Sequence, residues 1–211
     1  MTLNKSLNIA LPKGRILNSV LPILLKVGIE PEKSFFDRNN RKLKFKTNID
    51  YIDIIRVRSF DVVTFLAYGA AQMAFVGSDI LDEFNHAEVY SPLDLNIGNC
   101  KMVVAAEKNV ITDEDPRSWS HVRVATKYPN ITRKHFESRG VHAECIKLNG
   151  AMELAPSMGL CKRIVDLVET GSTLKANGLV VVEKICEVST RLAINRTVSY
   201  THLRAHETNS N

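Results

Sequence analysis

The sequence contains no run of eighteen apolar residues, so we expect no membrane-spanning helix. Its first apolar patch is soon interrupted by Pro12 and Lys13, which is atypical of a secretory signal. The six histidines show no metal-ligand spacing. The four cysteines lie far apart without a CxxC pair, at Cys100, Cys145, Cys161 and Cys186. These absences favour a cytoplasmic protein with reduced, buried thiols and without a structural transition-metal site.

The remaining composition is that of an ordinary globular protein, with 45% hydrophobic and 24% charged residues. A chain of 211 residues can bury one or two cores without a disulfide or a metal. Part of its net charge of +5 is concentrated in residues 33–46, where six basic residues accompany one acid. Because no nucleic-acid-binding motif accompanies this cluster, a polyanionic small molecule is the simplest partner. Lysines that only protect an exposed edge strand are the alternative.

Short apolar runs alternate with helical patterns along the chain, which predicts an α/β architecture. In the first half, the predicted strands are Leu7–Leu11, Tyr51–Arg58 and Met73–Val76, and a half-exposed strand is predicted where Leu43 and Phe45 alternate with Lys42, Lys44 and Lys46. Beyond Leu93 the pattern begins again, and the further predicted strands are Met102–Ala106, Val122–Thr126, Cys145–Leu148, Ile164–Val168, Leu179–Val182 and Leu192–Asn195.

This repeated pattern predicts two α/β lobes joined by two crossings of the chain. Residues 1–93 with 184–198 form the first predicted lobe, and residues 94–183 form the second. A cleft between two such lobes is the usual place for a ligand. Residues 199–211 are polar and patternless, and they are predicted to be a disordered or non-native tail.

The strongest local signal is the segment Asp166–Leu179, with the sequence DLVETGSTLKANGL. An apolar strand runs into Gly171, and a short helical stretch follows. Backbone N–H groups and the hydroxyls of Ser172 and Thr173 at the start of that helix suit a phosphate. Asp166 and Glu169 would repel a bare phosphate but suit ribose hydroxyls, or a magnesium ion that bridges to pyrophosphate. An ordinary capped turn is the alternative, because neither the P-loop nor the dinucleotide fingerprint is present.

Several charged residues lie where strands end. Lys13 and Arg15 occupy a turn between a predicted strand and a helix, where cations can reach an anionic ligand or only face solvent. Arg41 and Arg58 lie in or beside strands, and either could form a bidentate contact with pyrophosphate or a surface ion pair. Glu153 has apolar neighbours in the chain and could hold ribose hydroxyls, although a structural role is the simpler interpretation.

A set of segments between Leu7 and Arg196 carries a resemblance to a known family. The segments are Ile9–Ile16, Asn40–Leu43, Val57–Val62, Tyr68–Gln72, Gly77–Leu81, Leu93–Leu95, Val124–Asn130, Lys147–Pro156 and Ile164–Leu179. Together they resemble the ATP phosphoribosyltransferase family of histidine biosynthesis, in its short form. The stretch Asp166–Leu179 looks like the family's signature loop for phosphoribosyl pyrophosphate.

The resemblance implies a two-lobed α/β fold with a central cleft, similar to type II periplasmic binding proteins. It implies that Asp166 and the loop Thr170–Thr173 (Thr170, Gly171, Ser172 and Thr173) hold the ribose 5-phosphate portion, with Glu153 near the ribose. It implies that Arg41 and Arg58 contact the departing pyrophosphate. Lys13, Arg15 and Asp79 would line the cleft. Mg²⁺ would be held mainly by the substrate, so no residue is assigned as a metal ligand.

The resemblance also implies partners. The long form of the family carries a C-terminal histidine-sensing domain, for which this sequence is too short. The short form assembles with a regulatory subunit that resembles histidyl-tRNA synthetase, so we expect that partner and a homodimer within a hetero-oligomer. A non-catalytic binding module of the same fold is the main alternative. Other phosphoribosyltransferases carry two adjacent acids before their loop, whereas Leu167 and Val168 separate Asp166 from Glu169.

Overall fold

The computed structural model describes residues 6–37, 39–113 and 119–197. The chain divides into two compact units, residues Met1–Gly98 with Ser189–Asn211 and residues Asn99–Val188. These boundaries lie five residues beyond the predicted ones at 93/94 and 183/184. The predicted tail, residues 199–211, lies outside the described residues.

Unit 1 is a six-stranded mixed sheet with helices. Its elements are β1 (Leu7–Pro12), α1 (Arg15–Lys26), β2 (Lys44–Lys46), β3 (Ile52–Val57), α2 (Val62–Ala67), β4 (Met73–Gly77), α3 (Ser78–Phe84), β5 (Val89–Asp94) and, after unit 2, β11 (Thr190–Asn195). Short 3₁₀ turns at Lys33–Phe36 and Ser59–Asp61 precede β2 and α2.

The strand order of unit 1 is β2-β3-β1-β4-β11-β5. Strand β1 pairs in parallel with β3 and β4, whereas β2 is antiparallel to β3. The carboxyl ends of β1, β3 and β4 and the start of β2 therefore lie at the same edge of the sheet. A turn that follows any of these three strands is carried to that edge.

Alternation along β1 separates two apolar clusters on the faces of this sheet. Ile9 and Leu11 pack with Val20 of α1, and Ala10 packs with Val62 of α2. These five side chains are 0% or 1% exposed, so both helices are fixed against the sheet by burial.

The short strand β2 uses part of the basic cluster inside the fold. Phe45 is buried, and the Nζ atoms of Lys44 and Lys46 each lie 3.0 Å from a carboxylate oxygen of the fully buried Asp53. Burial by itself would raise the pKa of Asp53, but the two lysines outweigh it and hold that pKa below its usual range. The half-exposed strand predicted from the alternating lysines is confirmed, with Leu43 57% exposed beside it.

Unit 2 is a five-stranded sheet in the order β10-β6-β9-β7-β8. Its elements are β6 (Cys100–Glu107), α4 (Lys108–Asp113), β7 (His121–Thr126), α5 (Pro129–Glu137), β8 (His142–Lys147), α6 (Leu154–Ser157), β9 (Arg163–Val168), α7 (Ser172–Ala176) and β10 (Leu179–Val188). Strands β7, β8 and β9 are mutually parallel, and β6 is antiparallel to β9 and β10. The turns after β7, β8 and β9 therefore lie at one edge.

The reduced thiols predicted from the cysteine spacing are observed, and two of the four are buried. All four cysteines are free thiols, with Cys100 and Cys161 buried and Cys145 and Cys186 half-buried. Burial raises the pKa of Cys161, which keeps this thiol protonated. In the part of the chain that the structure describes, no helix is long and apolar enough to cross a membrane.

Candidate active site

The turn after β9 places a left-handed glycine directly before a short helix. Gly171 has φ 77° and ψ 4°, a left-handed conformation that glycine adopts without steric cost, and it precedes α7 as its N-cap. The hydroxyl oxygens of Thr170 and Ser172 lie 3.1 Å apart, and the Ser172 N–H donates to Thr170 Oγ1 at 3.4 Å. Thr170, Ser172 and Thr173 are exposed. The predicted loop therefore offers three accessible hydroxyls around the start of a short helix.

Buried apolar contacts hold this loop on unit 2. Leu174 of α7 is 4% exposed and packs with Ile164 and Leu179 in the apolar cluster of the unit. Gly178, with φ 71°, ends the helical stretch and leads into β10. The loop is therefore anchored at its helix while its polar groups face solvent.

Asp166 lies within β9, shortly before the loop, and its carboxyl group is half-buried. Burial is the main cause that raises the pKa of Asp166, and the Leu167 N–H, which donates to Oδ1 at 2.8 Å, lowers it. Glu153 raises this pKa and Lys127 lowers it, so that the net value is about 6. Glu153, directly before α6, is half-buried, whereas Glu169 is exposed. Two of the three predicted acids of unit 2, Asp166 and Glu153, thus interact electrostatically, and Glu169 lies on the loop itself.

Lys127 is a further charged residue of this site that the sequence patterns did not single out. It follows β7 directly, at the same edge as the loop, and its charge acts on Asp166. The only local signal was a lysine immediately after a buried strand, within the segment Val124–Asn130 that carried the family resemblance. That signal does not reveal which strand lies beside β7.

Unit 1 brings its five predicted residues to the carboxyl edge of its own sheet. Lys13 follows β1 and its N–H donates to Val57 O at 3.1 Å, at the end of β3, immediately before Arg58. The Arg56 N–H donates to Leu43 O at 2.7 Å, which places the start of β2, and the preceding Arg41, at the same edge. Lys13, Arg15, Arg41 and Arg58 are all exposed.

Asp79 differs from the other four because it is only 4% exposed. It lies in the first turn of α3, and its Oδ1 would lie 2.0 Å from a Cβ atom built on Gly77. The carboxylate therefore folds back over the end of β4, where only a glycine leaves room for it. The sequence indicated the position of Asp79 at the strand end but not this burial.

The described residues contain no group of three or more His, Cys, Asp or Glu side chains that could hold a metal ion. The donor set of the loop consists of hydroxyls and backbone N–H groups, which hydrogen-bond to phosphate oxygens.

Comparison with known proteins decides the family. The family model of HisG, ATP phosphoribosyltransferase, matches residues 58–209. ATP phosphoribosyltransferase from Rhodospirillum rubrum is 60% identical over 189 residues, which cover 90% of this chain and 83% of that protein. The chain belongs to the ATP phosphoribosyltransferase family. The family match includes the loop Thr170–Thr173 and reaches into the predicted tail, residues 199–211.

Solved structures show the same fold for this ATP phosphoribosyltransferase family member. An ATP phosphoribosyl transferase (HisG:HisZ) complex from Thermotoga maritima is similar with a TM-score of 0.78 and 34% identity, over 96% of this chain and 94% of that chain. The periplasmic aliphatic sulphonate binding protein SsuA from Escherichia coli is similar with a TM-score of 0.54 at 12% identity, over 93% of this chain and 63% of that chain. The predicted fold class, an α/β fold similar to type II periplasmic binding proteins, is confirmed.

Proposed function

We propose that this protein transfers the phosphoribosyl group of 5-phosphoribosyl 1-pyrophosphate to N1 of ATP, giving phosphoribosyl-ATP and pyrophosphate, the first step of histidine biosynthesis. The observation that carries the proposal is the 60% identity with an ATP phosphoribosyltransferase over 90% of the chain. The open, hydroxyl-rich loop after β9 supports it, because it suits the 5-phosphate of this substrate.

The proposed roles divide the site residues by the chemistry of their groups. The loop Thr170–Thr173 would hold the 5-phosphate through hydroxyls and N–H groups. Asp166, Glu153 and Glu169 would accept hydrogen bonds from the ribose hydroxyls. Arg41 and Arg58 would neutralise the departing pyrophosphate, as exposed guanidinium groups can. Lys13, Arg15 and Asp79, at the ends of β1 and β4, would make the remaining contacts with the substrates. Asp79 would contact a substrate only if its carboxylate left its buried position.

The reaction needs alignment and charge stabilisation more than proton transfer. Adenine N1 carries a lone pair, so a strong general base is not required. As the bond from ribose C1 to pyrophosphate breaks, positive charge develops on the ribose ring and negative charge on pyrophosphate. Fixed cations and N–H donors stabilise the developing negative charge. Binding both substrates with adenine N1 aligned to ribose C1 lowers the entropic cost of bringing the two reactants together.

Mg²⁺ is the proposed cofactor, and it would enter with the pyrophosphate of the substrate. Magnesium commonly keeps water ligands and takes its other ligands from substrate phosphates. When bound, it would neutralise pyrophosphate charge. The side chains proposed for the pyrophosphate, Arg41 and Arg58, would complement that charge from the protein side.

A regulatory subunit resembling histidyl-tRNA synthetase is the proposed macromolecular partner. The similar Thermotoga maritima structure is a HisG:HisZ complex, which supports this proposal. We further propose that the chain works in the cytoplasm as a homodimer within a hetero-oligomer.

The test is a pyrophosphate-release assay with ATP, phosphoribosyl pyrophosphate and Mg²⁺, with and without the regulatory subunit. Pyrophosphate should appear only when both substrates are present. The variants Arg41→Met and Arg58→Met should lower kcat/KM at least about tenfold each, since a charge-assisted bidentate contact contributes about 1.5–3 kcal/mol. Binding of phosphoribosyl pyrophosphate without release of pyrophosphate under either condition would favour a binding module and contradict the proposal.

A further inference from the structure

Strand register places Lys127 beside Asp166. Strands β7 and β9 are parallel, with Val124 opposite Arg163, Ala125 opposite Ile164 and Thr126 opposite Val165. Lys127 follows Thr126 directly and Asp166 follows Val165 directly, so both residues come immediately after the last paired position of the two strands. Ala125 and Ile164 both belong to the same apolar cluster, so Asp166, two residues after Ile164 in β9, lies on the same face of the sheet. Lys127 follows the last residue of β7.

Apolar and acidic side chains of unit 2 lie near Asp166. On its other side lies Val103 of β6, which is 2% exposed and directly opposite Asp166 in the antiparallel register. The buried Leu174 of α7 belongs to the same cluster. Glu153, before α6, adds a like charge. Lys127 is a cation whose charge acts on this carboxyl group, against burial and against Glu153.

Two buried threonines fix the turn that presents Lys127. Thr126 and Thr132 are both 0% exposed. Thr126 Oγ1 accepts a hydrogen bond from the Tyr128 N–H at 2.9 Å, and the Thr132 hydroxyl donates to Tyr128 O at 2.7 Å. These bonds close the backbone on both sides of Tyr128, directly after Lys127. The Cα atom of Lys127 is therefore held in place by the core.

We propose that Lys127 is a positioning residue for the reaction: its ammonium group keeps the Asp166 carboxylate ionised and oriented to accept hydrogen bonds from the ribose of phosphoribosyl pyrophosphate. This inference rests on the proposed function, because it takes Asp166 as a ribose contact. It goes beyond that function by assigning Lys127 an action through Asp166 rather than on the substrate.

The sign of the effect follows from the charges. The ionised carboxylate accepts hydrogen bonds more strongly than the protonated group and through both oxygens, so substrate binding weakens as the pH falls through the pKa of Asp166, about 6. Plotted against pH, the affinity has an acid limb, the range at low pH in which it falls. Removing Lys127 raises the pKa of Asp166 and therefore moves this acid limb to higher pH. Removing the charge of Glu153 moves it to lower pH. The substrate phosphate also titrates near pH 6, but that contribution is the same for every variant.

The experiment measures the affinity for phosphoribosyl pyrophosphate by calorimetry, at pH values on both sides of this pKa. In Lys127→Met we expect the acid limb to move upward by about half a unit, which weakens binding up to about threefold in the limb and leaves the alkaline plateau unchanged. Lys127→Arg should restore the wild-type limb, and Glu153→Gln should move it downward. Lys147→Met is the matched control: Lys147 lies opposite Thr126 on β8, one strand farther from β9, so its limb should stay in place.

A uniform loss in Lys127→Met at every pH would mean that Lys127 contacts the substrate directly, and would overturn the inference. An equal shift in Lys147→Met would also overturn it, because the effect would then be a general field. Carbon-13 NMR titration of the ligand-free Asp166 carboxyl, assigned with Asp166→Asn, separates this inference from the proposed function. If Lys127→Met raises that titration while wild-type protein binds no phosphoribosyl pyrophosphate, the proposed function fails and the action of Lys127 on Asp166 stands; if the titration does not move, the inference itself fails.

Discussion

Replacing Gly171 by alanine tests whether the loop binds phosphate through its backbone. Gly171 has φ 77°, and an added Cβ atom would lie 3.8 Å from Val168 Cγ1, an ordinary contact. The cost to folding therefore comes from the left-handed conformation alone, about 1 kcal/mol. For a chain of this length, such a cost lowers Tm by about 2–4 °C.

Gly178 provides the matched control at the other end of the same short helix. It has φ 71°, and an added Cβ atom would meet nothing within 4 Å. Gly178→Ala should therefore lower Tm as much as Gly171→Ala does. Thermal unfolding of the two variants measures this shared cost and shows that both remain folded.

Binding should separate the two variants. In Gly171→Ala the new methyl group and the strained backbone occupy the place where the 5-phosphate approaches the N–H groups, so we expect affinity for phosphoribosyl pyrophosphate to fall at least about tenfold, equivalent to about 1.4 kcal/mol. Gly178→Ala should bind as wild type does. Wild-type affinity in Gly171→Ala, measured by calorimetry, would refute the assignment of this loop, and an equal loss in both variants would attribute the effect to strain instead.

Two further predictions concern unit 1 and the cofactor. Asp53→Asn should lower Tm at neutral pH, because it leaves Lys44 and Lys46 without their shared carboxylate. Since the folded-state pKa of Asp53 is lowered, this stabilisation is present above the ordinary pKa of the group and is lost as the pH falls through the folded-state pKa, so the Tm difference from wild type should shrink in acid. A constant Tm difference across a pH series of thermal melts would contradict the ion pair. Chelation of Mg²⁺ should abolish pyrophosphate release and added Mg²⁺ should restore it, whereas full activity in excess chelator would argue against the proposed cofactor.

Strands buried on both faces could be predicted from their apolar runs. Ile164–Val168 and Met73–Val76 each differ from the observed strands by one residue at one end. The strand predicted at Leu179–Val182 was too short, since the observed β10 continues to Val188. It contains bulges between Val181 and Glu183 and between Lys184 and Cys186. Bulges break the two-residue alternation on which such predictions depend. The edge strand β5 was not predicted, since Pro92 interrupts its pattern.

The candidate site was predictable where its residues adjoin one another in the chain. The loop Thr170–Thr173 could be assigned from its own composition, and its left-handed glycine and exposed hydroxyls are observed. Lys127 could not be found in this way, because its relation to Asp166 depends on the adjacency of β7 and β9. The burial of Asp79 also escaped prediction, since it depends on the space that Gly77 leaves above it.

The identity of the product tests the central claim most directly. Wild-type protein with its regulatory subunit should convert ATP, phosphoribosyl pyrophosphate and Mg²⁺ into one nucleotide, and NMR of that product should show the new ribose bonded to N1 of the adenine ring. Isolation of phosphoribosyl-ATP with this linkage is the result we predict. Recovery of unchanged ATP, or a product ribosylated at another atom, would contradict the account.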